Sequence, residues 1–253
     1  MLKVEVIASV GIIRIDRAEK RNAISFEMLS QIDRALDGFD ASVKVIMLTS
    51  TGDNFSAGLD LQSTSSSAPP DLVQSMEGIR RWEETMRRIR FGSRPVISAL
   101  KGAVIGGGLE LAACTHIRVA DDTAFFQLPE GKLGVFVGGG ATVSVSRIIG
   151  PDRVMELLLT GRRMAADEAE RIGIVHYRTD TGGAEEKALE IAHQVAENHD
   201  FSNYLAIHAP ARIDEMSDDQ GFFTEQLAAI LVRTSQESQE RLSAFLNRKR
   251  TKK

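Results

Sequence analysis

Two carboxylates and a run of three glycines are the residues of this chain whose types and spacing best suit catalysis. Residues 106–108 are all glycine where a predicted strand passes into a predicted helix, and Glu110 follows in the first turn of that helix. Glycines at a helix N-terminus leave backbone N–H groups unpaired, and such donors can stabilise an oxyanion. Glu130 follows Pro129 after a later strand. If the two carboxylates face each other, they could act as general acid and base on an activated carbonyl compound.

Each of these features also has a purely structural interpretation. The glycine run can serve close packing of a helix on a sheet. Glu130 can be a solvated charge on a loop, as most carboxylates are. Neither interpretation needs a ligand, so these residues alone leave the choice open.

A second loop of small residues, Phe55-Ser56-Ala57-Gly58-Leu59-Asp60, directly follows a predicted buried strand. Small residues allow the backbone to approach a ligand with its N–H groups turned outward. The alternative is an ordinary turn between a strand and a helix. The chain contains neither G-x-G-x-x-G nor G-x-x-x-x-G-K-[ST], so the glycines do not indicate a site for nucleotide phosphates.

Other chemistries are less well supported by the sequence. The five histidines form no H-E-x-x-H pair and Cys114 has no cysteine neighbour, so we expect no metal site. Cys114 is expected to be a small buried apolar residue. Residues 98–101 match S-x-x-K but lie in a predicted strand, so we interpret the match as chance.

Composition limits the partners and the compartment. The 253 residues include 31 basic and 35 acidic side chains, a net charge of −4 that argues against nucleic acid as the main partner. A single cysteine cannot form an internal disulfide, which favours a reducing compartment. No apolar run approaches the ~20 residues that span a bilayer, and the N-terminal segment lacks the layout of a signal peptide. We therefore expect a cytoplasmic protein that binds no membrane.

Hydrophobic periodicity predicts the elements that must position the candidate residues. The predicted strands are residues 3–8, 11–16, 43–49, 95–100, 117–120 and 124–127, with a further strand that leads into the first glycine run. The predicted helices are one capped by Ser25, one over residues 71–91, one after each glycine run and one over residues 152–159. Beyond residue 179 only helices are expected, and residues 63–70, STSSSAPP, are expected to form a mobile loop. The fold class is therefore α/β, with a helical C-terminal part.

Five segments occur together in the order found in one enzyme family. They are RAEKRNAIS at residues 17–25, FSAGLD at 55–60, KGAVIGGGLELAA at 101–113, FFQLPEGKLGVFVGGG at 125–140 and AFLNRKR at 244–250. Through these motifs the chain resembles the enoyl-CoA hydratase/isomerase (crotonase) family over nearly its whole length. The resemblance implies a crotonase-like spiral of ββα units over residues 1–195. It also implies a helical region over residues 196–253 that drives assembly into a homotrimer or homohexamer.

The resemblance also assigns roles to individual residues. It implies an acyl-CoA thioester substrate whose oxygen is bound by the N–H groups of Leu59 and Gly107. Glu110 would activate a water that the N–H group of Gly138 helps to place, and Glu130 would deliver a proton. The residues implied for CoA binding lie in two loops: Lys20, Arg21, Ala23, Ala57, Asp60 and Leu61. No metal ion and no separate cofactor are expected, since coenzyme A is part of the substrate.

The presence of both glutamates favours hydration of a 2-enoyl-CoA thioester to a 3-hydroxyacyl-CoA. The alternatives are an enoyl-CoA isomerase or acyl-CoA hydrolase that uses the same oxyanion hole, or a non-catalytic acyl-CoA-binding protein. The sequence departs from the family at Thr115-His116, where Cys-Asp is usual, and at residues 137–144, VGGGATVS, where P-G-x-G-G-T-Q-R is common. Because of these departures the resemblance does not specify which acyl group the substrate carries. We expect residues 63–70 to line the pocket that binds the acyl group.

Overall fold

The computed structural model describes residues 1–61 and 71–250, with residues 248–250 described by their backbone alone. The described chain divides into two compact units, Met1–His193 and a second unit that begins at Gln194. The first unit contains all the strands of the described residues, and the second is helical. A mixed α/β fold with C-terminal helices is therefore confirmed.

Nine strands occur in the described part of the first unit. They are β1 (Leu2–Ile7), β2 (Val10–Ile15), β3 (Val45–Ser50), β4 (Val96–Leu100), β5 (Ala103–Ile105), β6 (Ile117–Asp121), β7 (Phe125–Gln127), β8 (Met164–Ala165) and β9 (Tyr177–Thr179). Six of them form one sheet in the order β1-β2-β3-β4-β6-β9. The β1–β2 pair is an antiparallel hairpin, and the other neighbours are parallel. Every residue of β3 and β4 is buried, which is why both strands are continuous apolar runs in the sequence.

The remaining strands form a small sheet in the order β5-β7-β8. Strands β5 and β7 are parallel, with Ala103 opposite Phe125 and Ile105 opposite Gln127. Because the carboxyl ends of parallel strands meet at one edge of a sheet, this pairing brings the residues after Ile105 close to those after Gln127. Both candidate glutamates follow those two strands in the chain.

Ten α-helices occur in the described residues. They are α1 (Phe26–Gly38), α2 (Leu72–Arg90), α3 (Gly107–Ala113), α4 (Ser146–Ile149), α5 (Pro151–Thr160), α6 (Ala166–Arg171), α7 (Ala184–Ala196), α8 (Asp200–Ile213), α9 (Asp218–Arg233) and α10 (Gln236–Arg250). Ser25 caps α1 as predicted, since its hydroxyl accepts the N–H of Met28 at 3.2 Å. Asp71 caps α2 in the same way, through the N–H groups of Val73 and Gln74. Pro151 occupies the first turn of α5, where its missing N–H costs nothing.

The structure contains short elements that the sequence-based assignment lacks, and one predicted helix begins in a different form. Strands β8 and β9 and helix α6 were not predicted, because their residues form neither a continuous apolar run nor a periodic apolar pattern. The helix expected after the second glycine run starts as a π-helical turn over Ala141–Val145 and becomes α-helical only in α4. The loop and pocket wall expected at residues 63–70 lie outside the described residues. Among the helices that are described, none has the length and apolar composition needed to cross a membrane.

Candidate active site

The turn between β5 and α3 places the first glycine run beside Glu130. The N–H of Gly106 donates to the carbonyl oxygen of Gln127 at 2.9 Å, which ties the end of β5 to the end of β7. Gly106 has a φ of +51°, a conformation that favours glycine. A Cβ at this position would also lie 2.6 Å from Glu130 Oε1. The backbone conformation and the approach of the carboxylate both require glycine here.

Glu110 is buried in α3, and the second glycine run holds its carboxylate. The residue is 3% exposed, and its Oε1 accepts the N–H groups of Gly139 at 2.9 Å and Ala141 at 3.1 Å. Burial raises the pKa of Glu110 to about 7, against the opposing effect of those two N–H groups, and the charge of Glu130 raises it further. A carboxylate with this pKa can accept a proton from a reacting group near neutral pH.

Glu130 begins the short 3-10 helix Glu130–Leu133 that follows β7. The residue is half-buried, and this burial raises the pKa of its carboxyl. Its Oε2 is shielded from solvent and has no hydrogen-bond partner among the residues that the structure describes. A solvated loop charge, the structural alternative considered for Glu130, would have neither property. An unpartnered buried carboxylate oxygen is rare in proteins and is expected where a water or substrate binds.

The backbone N–H groups of Leu59 and Gly107 lie side by side. The FSAGLD loop, residues 55–60, pairs in parallel with β5 through Ser56 and with the segment before α1 through Leu59. A Cβ on Gly107 would lie 3.4 Å from Leu59 N, so the two amides are neighbours. Neither N–H donates to any residue in the described ranges. Two adjacent, preorganised donors of this kind can stabilise negative charge on one oxygen.

The structure joins the two loops that contain the residues predicted to bind CoA. The N–H of Ala57 donates to the carbonyl oxygen of Arg21 at 2.9 Å, and Asp60 N–H donates to Ile24 at 2.8 Å. The carboxylate of Asp60 is buried and forms ion pairs with Arg17 at 2.7 Å and Lys20 at 3.7 Å. These contacts fix the FSAGLD loop against the early loop, residues 17–25.

The side chains at the predicted CoA positions are placed differently from one another. Lys20, Arg21 and Leu61 are exposed, whereas Ala23 and Ala57 are half-buried. The Asp60 carboxylate pairs with Arg17 and Lys20 of the early loop, so it joins the FSAGLD loop to the early loop. At Ala23, Ala57 and Asp60, any contact with CoA would therefore be made by backbone groups more than by charged side chains.

Trp82 is part of this site and was missed by the sequence analysis. It lies on α2, is 5% exposed, and its ring edge is 2.6 Å from the position that a Cβ on Gly107 would take. A Cβ on Gly139 would lie 1.9 Å from Trp82 Nε1 and 2.2 Å from Glu110 Oε2. The signal in the sequence was its position on the buried face of α2, with Thr85, Met86 and Ile89. That pattern is equally typical of a core residue.

Gly138 lies at the start of the second glycine run and is half-buried. Its N–H donates to none of the described residues, whereas the next N–H, from Gly139, holds Glu110. A Cβ on Gly138 would meet only Ile79, at 3.5 Å. The Gly138 N–H, which is predicted to place a water, thus neighbours in the chain the Gly139 N–H, which binds the Glu110 carboxylate.

Cys114, His116 and His176 have contacts that serve the fold. Cys114 is buried, as predicted, and burial raises the pKa of its thiol to about 11. His116 accepts the N–H of Val96 at 2.9 Å, and burial lowers its pKa to about 4. His176 accepts the N–H of Arg118 at 3.1 Å, and partial desolvation of its ring, together with the nearby charge of Arg118, lowers its pKa to about 4. In the described ranges no three His, Cys, Asp or Glu residues are grouped closely enough to hold a metal ion.

Comparison with known proteins identifies the family to which the chain belongs. The family model described as enoyl-CoA hydratase/isomerase matches residues 5–252. The chain belongs to the enoyl-CoA hydratase/isomerase family. It is 30% identical to the enoyl-CoA hydratase EchA19 of Mycobacterium tuberculosis, over 94% of this chain and 90% of the relative. It is 32% identical to an enoyl-CoA isomerase/hydratase of Zymoseptoria tritici, over 93% of this chain and 80% of the relative.

Solved structures of the family share the fold of this chain. A Rhodopseudomonas palustris protein, provisionally assigned as an enoyl-CoA hydratase, superposes with a TM-score of 0.95 at 37% identity, covering 100% of this chain and 96% of that one. The enoyl-CoA hydratase of Bacillus anthracis superposes with a TM-score of 0.90 at 30% identity, covering 98% of this chain and 96% of that one. The crotonase-like fold class predicted from the motifs is thereby confirmed. The family includes both hydratases and isomerases, so the reaction of this member must be argued from its site.

Proposed function

We propose that this member of the family hydrates the C2=C3 double bond of a 2-enoyl-CoA thioester to give a 3-hydroxyacyl-CoA. The observation that carries the proposal is the convergence of Glu110 and Glu130 on the donor pair of Leu59 and Gly107. Glu130 Oε1 faces the glycine immediately before Gly107, and the charge of Glu130 raises the pKa of Glu110. One small region therefore combines two carboxylates with a pair of backbone donors that would form the oxyanion hole.

The first part of the proposed reaction is addition of water to C3. The thioester oxygen accepts the N–H groups of Leu59 and Gly107, which withdraws electron density from the double bond. Glu110 removes a proton from a water placed with the help of the Gly138 N–H, and the oxygen bonds to C3. The π electrons of the C2=C3 bond form a new double bond between C1 and C2, and the carbonyl π electrons move onto the thioester oxygen, which gives an enolate. The two donors stabilise that negative charge by a few kcal/mol.

The second part of the proposed reaction is protonation at C2. Glu130 delivers its proton to C2, the enolate electrons form the new C–H bond, and the thioester carbonyl is restored. The proton taken up by Glu110 then returns to Glu130 through solvent or directly. We expect the two carboxyls to titrate as a pair, with one proton shared between them in the active form.

The predicted CoA positions support a binding site at the joined early and FSAGLD loops. We propose that backbone groups at Ala23, Ala57, Asp60 and Leu61 contact CoA, with Lys20 and Arg21 near its phosphates. The substrate brings its own CoA, so the proposed reaction uses neither a metal nor a separate cofactor. The cytoplasm remains the proposed compartment.

The proposed homotrimer or homohexamer is supported by apolar side chains on the helices of the second unit. On α9 and α10 these exposed residues are Phe222, Phe223, Leu227, Ile230, Leu231, Leu242, Phe245 and Leu246. Exposed apolar residues in this number are typical of a surface covered by another protein. The mass of the purified protein, measured by light scattering, tests the assembly.

The experiment that tests the reaction compares wild type with Glu130→Gln. Wild type should consume crotonyl-CoA or longer 2-enoyl-CoAs, with loss of the conjugated-thioester absorbance and appearance of the 3-hydroxy product. Glu130→Gln should lower kcat by about 10²- to 10⁴-fold, the usual contribution of a general acid, while CoA binding stays nearly constant. Glu83→Gln removes an exposed carboxylate on α2 and is the matched control.

Three outcomes would contradict the proposal, and each favours a different alternative. Conversion of a 3-enoyl-CoA to its 2-enoyl isomer without hydrated product favours an isomerase. Release of free CoA from acyl-CoA favours a hydrolase. Tight binding of acyl-CoA without turnover at any chain length favours a non-catalytic binding protein.

A further inference from the structure

The indole N–H of Trp82 is a buried hydrogen-bond donor that has no role in the steps of the proposed reaction. The residue is 5% exposed, and its Nε1 atom is shielded from solvent and has no hydrogen-bond partner among the described residues. A buried polar atom without a partner is uncommon in native structures and is expected where a ligand or water binds. Leaving the N–H unpaired costs free energy that an oxygen acceptor would recover.

The position of the ring relates this N–H to the reacting atoms. The six-membered ring of Trp82 faces Gly107, whose N–H belongs to the donor pair, and Nε1 faces Gly139 on the side of Glu110. Nε1 and Glu110 Oε2 both lie within 2.2 Å of the same point, the position of a Cβ on Gly139. The indole therefore extends from the proposed oxyanion hole to the proposed base.

The hydrogen-bonding capacity of the Trp82 indole and the Glu110 carboxylate defines which group can bridge them. An indole N–H is a donor only, and an ionised carboxylate is an acceptor only. A hydroxyl or water oxygen can satisfy both, since it accepts one hydrogen bond and donates another. Glu110 makes its hydrogen bonds in the described chain through Oε1, so Oε2 is available for such a partner.

We propose that Trp82 donates a hydrogen bond to the oxygen that is added at C3, first in the attacking water and then in the hydroxyl of the 3-hydroxyacyl product. This role rests on the proposed hydration. Trp82 would hold the oxygen at the correct position and would distinguish a 3-hydroxyacyl chain from a saturated one. It would also explain why a polar indole, and not a phenylalanine ring, occupies a buried position on α2.

The protein contains one tryptophan, so its indole N–H gives one resonance in a nitrogen-15 correlation spectrum. The first experiment titrates wild type with 3-hydroxybutyryl-CoA and, separately, with butyryl-CoA, which lacks the oxygen. The 3-hydroxy compound should move the indole proton downfield, as hydrogen bonding does, and should do so more than butyryl-CoA. Equal shifts with the two compounds would overturn the proposal.

The second experiment removes the N–H and retains an aromatic ring with Trp82→Phe. The dissociation constant for 3-hydroxybutyryl-CoA should rise by about 3- to 10-fold, as for loss of one hydrogen bond, whereas that for butyryl-CoA should change by less than about 2-fold. In the hydration assay kcat should fall by at least about as much, with little change in KM. Met86→Leu, a conservative change at another buried position on the same face of α2, should leave the preference for the 3-hydroxy compound unchanged.

The two experiments separate this inference from the proposed function. If wild type hydrates 2-enoyl-CoA but Trp82→Phe weakens the binding of both CoA compounds equally, the ring has a packing role and the inference is wrong. If wild type does not hydrate, the proposed function fails, and the spectrum of wild type still decides whether the indole binds a C3 oxygen. The spectrum also decides the question if Trp82→Phe does not fold.

Discussion

Replacing Glu110 with glutamine should stabilise the protein at alkaline pH while it abolishes most of the activity. The carboxylate of Glu110 is buried, and its pKa is raised to about 7 from an ordinary value of 4.5. Ionising it inside the protein therefore costs free energy that ionising it in the unfolded chain does not. Glutamine has nearly the same shape, and its oxygen can still accept the N–H groups of Gly139 and Ala141, but it carries no charge.

The size and the sign of the effect follow from the two pKa values. Below the ordinary value of 4.5 the carboxyl is neutral in both states and costs nothing. As pH rises towards the folded value of about 7, the unfolded chain loses its proton first, so the free energy of unfolding falls by up to ~1.4 kcal/mol per pH unit. The loss is complete above the folded pKa and amounts to about 3 kcal/mol. A raised carboxyl pKa thus stabilises at low pH, and this stabilisation is lost at high pH.

The assay is urea unfolding of wild type and Glu110→Gln, at about pH 5.5 and about pH 8.5 and at one protein concentration. The advantage of the glutamine variant should grow by about 2 kcal/mol between the two pH values. Any cost of packing the amide is the same at both and cancels in this comparison. Glu83→Gln, at an exposed position, should differ from wild type by less than about 0.5 kcal/mol at both. If the advantage of Glu110→Gln does not change with pH, the carboxyl does not have a raised pKa and the reasoning is refuted.

Three further predictions concern the same site. The kcat/KM for hydration should fall by up to about tenfold per pH unit below pH ~7, because protonated Glu110 cannot act as a base, and a pH profile flat across that region would contradict the role. Gly139→Ala should destabilise the protein by about 1–3 kcal/mol and misplace the carboxylate, whereas Gly138→Ala should cost less than about 1 kcal/mol, as measured by urea unfolding. Equal costs for the two alanine variants would mean that the close contact at residue 139 is absent. Asp60→Asn should lower the free energy of unfolding by about 3 kcal/mol, because Arg17 loses its buried partner, and Arg17→Met should recover part of that loss in the double variant.

Elements with a clear apolar pattern could be predicted from the sequence, and short elements without one could not. The buried strands β3 and β4 and the capped helices α1 and α2 follow from continuous apolar runs, helical spacing and capping residues. The strands β8 and β9 have two and three residues, and they exist because neighbouring strands offer an edge to pair with. Their own residues carry no such signal.

The candidate site was predictable where chemistry depends on residue type and motif. The sequence singled out both glutamates and the two glycine-containing loops that flank them in space. It could not indicate Trp82, since an apolar helix face has the same pattern whether it lines a core or a site. It also could not indicate that Asp60 pairs with Arg17, because the two residues are 43 positions apart and meet only through the folding of two loops.

What the sequence by itself determined is the family and the supply of reactive groups: two carboxylates, glycine turns with outward N–H groups, and no surplus of positive charge. Only the tertiary structure decided what those groups can do. The parallel pairing of β5 with β7 brings Glu130 to the turn before α3, and the packing of α3 removes Glu110 from water. A carboxylate in solution has an ordinary pKa and is a weak base, and it is the desolvation created by the fold that raises the pKa of Glu110 towards neutrality.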